Sequence, residues 1–164
     1  MNRKIFEWNV RLFSENKAAH RVLFFLYHIL PIVMLVAYPA LLVYALIYMR
    51  GALPRLIAVP LGVFAGVTVM RVLIDEERPY ERYGIPPVYP KDTKGKSFPS
   101  RHTACAFIIA MAFWYVSTPL GIAATVIAAL IELSRILAGA HYIHDVLCGM
   151  AIAIVTGVMF FFLL

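Results

Sequence analysis

Charge is scarce in this 164-residue chain: only 15% of its residues are Asp, Glu, Lys or Arg, and only nine are acidic. With 62% hydrophobic residues and a mean hydropathy of +0.81, this excludes an ordinary water-soluble domain, where about a quarter of residues are charged. Cysteine is scarce too. Cys105 and Cys148 both lie inside apolar runs, where they act as small hydrophobes and leave the redox compartment unmarked. There is no internal repeat, low-complexity tract or second domain, and so no pair of halves around a midplane site of the transporter kind. The first apolar run is too long for a signal-peptide core and lacks a small-residue cleavage pattern, so it is read as a retained helix.

What the sequence does have is long runs free of charge. Val22–Met49, Leu56–Met70, Thr103–Ile131 and Val146–Leu164 contain no Asp, Glu, Lys or Arg. A bilayer core about 30 Å thick needs about 20 apolar helical residues, so each run is a candidate crossing. The net charge of +6 does not indicate nucleic acid, because the basic residues sit at the ends of apolar runs and in one central loop. Phosphate or anionic lipid headgroups fit that distribution.

The pattern predicts an all-α, polytopic membrane bundle of about five spans, read as a single membrane-embedded domain over 1–164. Arg3, Lys4, Arg11 and Lys17, mixed with Ile5, Phe6, Trp8, Leu12 and Phe13, suit an interfacial helix over 3–19. Spans are expected at 22–48, with Pro31 and Pro39 as kinks, and at 54–74, where Gly62 and Gly66 form a GxxxG spacing that permits close packing. The polar segment 75–101 is a loop. The 33 residues from His102 to Ser134 would make about 50 Å of helix, too long for one crossing, so Ser117-Thr118-Pro119 divides them into spans at 102–117 and 119–138. A last span covers 144–164.

Three charged clusters flank these spans: Arg71 to Arg78-Pro79, Pro99-Ser100-Arg101-His102, and Ser134-Arg135 followed by His141 and Asp145. Two crossings between His102 and Arg135 bring all three to one side of the membrane; a single crossing would separate them. Convergence gathers Arg71, Arg78, Arg101 and Arg135 around one volume, and phosphate is the natural occupant because guanidiniums match its oxygens and stay charged. Helix N-termini near Ser100 and His102 add N–H donors. Asp145 stands four residues after His141, so on a helix it reaches the imidazole and fixes its tautomer. That makes His141 the candidate nucleophile and His102 the candidate general acid.

In order and internal spacing these clusters resemble the type 2 phosphatidic acid phosphatase superfamily, whose signature is Lys-x6-Arg-Pro, Pro-Ser-Gly-His and Ser-Arg-x5-His-x3-Asp. The resemblance implies a phosphohistidine on His141, leaving-group protonation by His102, phosphate binding by Arg71, Arg78, Ser100 and Arg135, and no metal requirement. In line with this, no carboxylate cluster has magnesium-ligand spacing. Two positions depart from the signature: Arg71 replaces Lys, and Arg101 replaces Gly, placing a guanidinium where it could meet a second phosphate or a headgroup.

The implied substrate is a phosphorylated lipid of the undecaprenyl diphosphate, phosphatidylglycerol phosphate or phosphatidic acid type. The rival reading is a non-catalytic protein that binds anionic lipid through the same basic clusters. Hydropathy excludes the superfamily's soluble vanadium haloperoxidases. Basic residues concentrate on the side of the N-terminus and the long loop, which by the positive-inside rule would face the cytoplasm. The resemblance implies a cell membrane with the site facing outward. Lys91, Lys94 and Lys96 are either a solvated loop face or contacts to a second phosphate. Glu132 and Arg135, three apart on a helix, are close enough to neutralise each other. His144 reads as a boundary residue, and His20 and His28 as interfacial or packed.

Overall fold

Capping residues and prolines set the element boundaries in the computed structural model, which describes residues 2–164. Helix α1 (Arg3–Glu15) begins where the Asn2 side chain accepts from the Lys4 N–H, and α2 (Lys17–Phe24) begins where Asn16 accepts from Ala18 and Ala19. Asn16 therefore divides the segment that the charge pattern reads as one interfacial helix over 3–19. A single π turn, Phe25–Ile29, joins α2 to α3 (Leu30–Tyr48), making one helical stretch from Lys17 to Tyr48. Pro31 follows the π turn inside this continuous stretch and Pro39 lies inside α3, and neither ends the helix.

A short turn at Arg50–Ala52 leads into α4 (Leu53–Ile74), which stops at Asp75 in the left-handed region (φ 44°). One-turn α5 (Pro79–Tyr83) interrupts the polar loop before α6 (Arg101–Val116). Extended Ser117 ends α6, and α7 (Thr118–Leu137) starts with Pro119 in its first turn. Helix α8 (Ile143–Gly157) continues through a π turn to Leu163.

Four helical stretches are long and apolar enough to cross a bilayer: Lys17–Tyr48, the stretch containing α4, α7, and α8 with its π turn. Helix α6 has 16 residues and spans only about 24 Å. It is also the most enclosed helix, with Ala104, Ala106, Phe107, Ile108, Ala110, Ala112 and Phe113 all buried among α3, α4, α7 and α8. A short helix sheathed by protein has little need to match the hydrocarbon thickness. Outward-facing Leu35, Val36, Leu61, Leu73 and Val155 are exposed, as a lipid-facing surface requires.

Close packing does not occur where the GxxxG spacing predicts it. A Cβ added at Gly62 or Gly66 would meet nothing within 4 Å, because this face of α4 looks outward. One tight approach that bears on the charged clusters is at Gly149 of α8, where a Cβ would come 2.6 Å from the Ser100 carbonyl oxygen. Gly149 thus lets α8 sit against the start of α6 and fixes the spacing between two of the charged clusters.

Candidate active site

The N-terminal end of α6, the C-terminal ends of α4 and α7, and the start of α8 meet at one end of the bundle, under the loop 75–100. Backbone bonds hold the seam: Ser100 N–H donates to the Asp145 carbonyl at 3.0 Å, and Val88 N–H to the Ala138 carbonyl at 3.1 Å. All three charged clusters are therefore at the same end.

Asp145 is the most heavily bonded side chain here. It is fully buried, and its Oδ2 accepts from Ser97 Oγ (2.5 Å), Tyr142 N–H (3.0 Å) and His141 Nδ1 (3.2 Å). A carboxylate can only accept, so the proton sits on Nδ1 and the lone pair of His141 is left on Nε2. Burial is the main force holding the His141 imidazole below its usual range, to about 4; the Asp145 bond opposes this and the Arg78 charge adds to it. His141 is therefore neutral near pH 7, as a nucleophile must be. Ser97 is the site residue that sequence reasoning missed. It lies 48 positions from Asp145 in a segment read as undifferentiated loop, and no motif spacing marks it.

The arginines are held mostly by backbone carbonyls, not by acids. Arg71 Nη1 donates to the carbonyls of Ser97 (3.2 Å) and Pro99 (2.8 Å). Arg78 Nε donates to Gly95 (3.0 Å) and its Nη1 to Ala140 (3.4 Å). Glu81 steadies that loop by accepting from the N–H groups of Arg78 (2.9 Å) and Gly95 (2.8 Å). Arg135 donates through Nη2 to the Tyr27 carbonyl (3.3 Å) and lies 3.9 Å from the centroid of the Tyr27 ring. Its buried Nε has no hydrogen-bond partner among the described residues. Among the described residues no ion pair joins Arg135 to Glu132, although the Arg135 charge acts on that carboxylate; Glu132 accepts from Thr103 Oγ1 at 2.5 Å.

Lys91 belongs to this group. Its Nζ lies 5.6 Å from the same Tyr27 ring, and burial, followed by the charges of Arg135, Arg78 and Arg71, pushes its ammonium from 10.5 down to about 7. The other two loop lysines, Lys94 and Lys96, are exposed and line a cavity of about 380 Å³ with Arg71, Arg78 and Arg101. Cations crowded in this way are able to hold a multiply charged anion.

Ser100 is fully buried and caps α6, its Oγ accepting from Thr103 N–H at 3.4 Å while its own N–H is bonded to Asp145. The Ser100 amide is therefore not free for a ligand as the sequence pattern suggests, which leaves its hydroxyl hydrogen. His102, one residue into α6, lines an apolar cavity of about 370 Å³ with Phe64, Ile109 and Arg101. The charges of Arg135, Lys91 and Arg101 and the His141 ring all act on it. His144 is half exposed, with Nε2 at 3.1 Å from both Glu76 Oε1 and Asp145 Oδ1. His20 Nδ1 donates to the Phe13 carbonyl (3.0 Å), and His28 packs on Phe24, Tyr27 and Tyr89.

Fold and site together define a polytopic helical membrane protein with a carboxylate-held histidine set among arginines. Residues 52–163 match the PAP2 superfamily, and the chain belongs to it. Over 107 residues it is 33% identical to the undecaprenyl-diphosphatase BcrC of Bacillus subtilis, covering 60% of this chain and 55% of that protein. Over 85 residues it is 34% identical to the lipid A 1-phosphatase of Porphyromonas gingivalis, covering 46% of this chain and 18% of that protein. The alignments thus span about half of one relative and less than a fifth of the other. The crystal structure of Aquifex aeolicus LpxE has the same fold, with a TM-score of 0.73 over 94% of this chain and 93% of that one at 24% identity.

Proposed function

We propose that this chain is a membrane lipid phosphatase that transfers phosphate from a lipid to His141 and then to water. The observation that carries the reading is the His141–Asp145 pair, which leaves the lone pair on Nε2 of a ring acted on by Arg78 and Lys91, with Arg71 and Arg135 grouped around the same lysine. Nε2 attacks phosphorus, the phosphorus–oxygen bond to the leaving group breaks, and His102 gives a proton to the departing oxygen. Water then attacks the phosphohistidine, releasing inorganic phosphate and restoring the imidazole. Charge on the transferring phosphoryl oxygens is met by the arginines, including the unpartnered Nε of Arg135. Asp145 keeps the tautomer and stabilises the imidazole as it gains positive charge. No step in this scheme calls for a metal or cofactor.

The substrates that fit are phosphorylated lipids of the undecaprenyl diphosphate, phosphatidylglycerol phosphate and phosphatidic acid type, with the surrounding bilayer lipids as the other partners. We assign the protein to a cell membrane with the site on its outer side; labelling a cysteine placed at exposed Lys94 in intact cells reads that orientation. Catalysis is tested by phosphate release from these lipids with purified wild type and His141→Ala. The variant should lose about a thousand-fold or more, and the wild type should yield an acid-labile, base-stable phosphoenzyme that the variant lacks. Equal rates for the two proteins would sink the reading and favour a lipid-binding protein without chemistry.

A further inference from the structure

We propose that Arg101 selects lipid diphosphates over lipid monophosphates by holding the phosphate that stays on the lipid. This rests on the histidine-phosphatase reading above and adds the substrate class.

Arg101 is the first residue of α6 and lines two cavities of opposite character. One is the cationic cavity it shares with Arg71, Arg78, Lys94 and Lys96. The other is the apolar cavity it shares with His102, Phe64 and Ile109. A second apolar cavity of about 290 Å³ shares Phe64, Cys105 and Ile109 with the first and extends towards Leu42 and Ile57. Sharing these residues, the two apolar cavities follow one another between α3, α4 and α6, a groove that runs from His102 along the outward-facing Leu35 and Leu61. A groove of this shape, opening at the general acid, suits the hydrocarbon tail of the substrate.

A tail seated there fixes where its first phosphate lies: at the mouth of the groove, between Arg101 and His102. The guanidinium of Arg101 is 5.3 Å from the centroid of the Phe64 ring and forms no ion pair among the described residues. The charges around the same region are the cations Arg71, Arg135 and Lys91 and the carboxylate Glu132, which accepts from Thr103 Oγ1. A half-buried guanidinium resting on an aromatic ring at the edge of an apolar groove is placed to receive an anion.

Reaction chemistry distinguishes the two substrate classes. In a diphosphate, His141 attacks the terminal phosphorus, the bond from that phosphorus to the bridging oxygen breaks, and its electron pair stays on the bridging oxygen. The product leaving along the groove is a lipid monophosphate, which remains anionic even after taking a proton from His102. In a monoester the leaving oxygen takes that proton and departs as a neutral alcohol, leaving Arg101 with nothing to hold. Unlike a simple monoester, a diphosphate leaves negative charge on the very phosphate that carries the departing oxygen, beside Arg101, and glycine at this position would offer no counter-charge.

The test uses the purified full chain with farnesyl diphosphate and farnesyl monophosphate, which share one tail. It compares kcat/KM for wild type, Arg101→Gly, Arg101→Met and Arg101→Lys, with His141→Ala as the inactive control. Wild type should prefer the diphosphate. In Arg101→Gly and Arg101→Met, diphosphate kcat/KM should fall about ten- to a hundred-fold further than monophosphate kcat/KM, the range for losing a charge-assisted hydrogen bond. Arg101→Lys should retain part of the preference. A preference unchanged in active Gly and Met variants, or a wild type that favours the monophosphate, overturns the role of Arg101 while leaving the phosphatase reading intact. Failure of the wild type to exceed His141→Ala on either substrate overturns the reading beneath it.

Discussion

The two histidines of the site sit in contrasting surroundings. His141 is enclosed, its ring nitrogen bonded to a carboxylate that is itself bonded to Ser97 and the Tyr142 amide. His102 opens onto an apolar groove, beside an arginine that rests on an aromatic ring. In the proposed reaction attack needs one fixed geometry whatever the lipid, which suits the prebuilt surroundings of His141. The proposed leaving-group half has to admit a tail and a charge that come with the substrate, which suits the groove beside His102.

If that contrast is right, damage to the enclosed half should lower kcat for every substrate alike. Asp145→Asn should have the largest effect, about a hundred- to ten-thousand-fold in kcat, because the amide can present the wrong partner to Nδ1 and cannot stabilise the imidazolium. Stopped assays on a diphosphate and a monoester check this, and a loss confined to one of them would break the comparison. Ser97→Ala removes one of three donors to Asp145 and should cost about tenfold in kcat with KM little changed.

Lys91 lies between the halves, and its effect should depend on pH. Its ammonium is pushed down to about 7, so it is charged below that pH and neutral above it. An anion favours the charged form, so binding takes up a proton as pH rises past 7, and vanadate inhibition of the wild type should weaken there. Lys91→Met should bind vanadate about tenfold more weakly at pH 6 and lose that pH slope. The sign for stability is opposite. A lysine whose folded value lies below its unfolded 10.5 penalises the fold when charged, and the penalty is full below about 7 and absent above 10.5. Lys91→Met should therefore raise Tm at pH 6 and leave it unchanged near pH 10.5, measured in one detergent. The smallest expected effect concerns the seam between the halves. Gly149→Ala should destabilise by about 1–3 kcal/mol by pressing on the Ser100 carbonyl, whereas Gly62→Ala should not destabilise.

Much of this was legible in the sequence, since charge-free runs mark apolar helices and the Ser117-Thr118-Pro119 break appears where a 33-residue run would overshoot the bilayer. The His141–Asp145 contact was legible because four residues is one helical turn, although the pair straddles the start of α8 rather than lying within it. The interfacial segment was read too simply because a short polar side chain at Asn16 can cap a helix anywhere along a mixed pattern. The GxxxG spacing misled because it says that two helices can approach, not which face of α4 has a neighbour.

The sequence alone therefore determined the membrane-embedded helical class and the gathering of the clusters at one end, because both follow from local hydropathy and from counting crossings. Only the tertiary structure decided that Ser97 buttresses Asp145, that Lys91 shares the Tyr27 ring with Arg135, and that Arg101 stands between cations and an apolar groove. These contacts join loop residues to distant helices, and the backbone path that creates them leaves no period in the sequence to read.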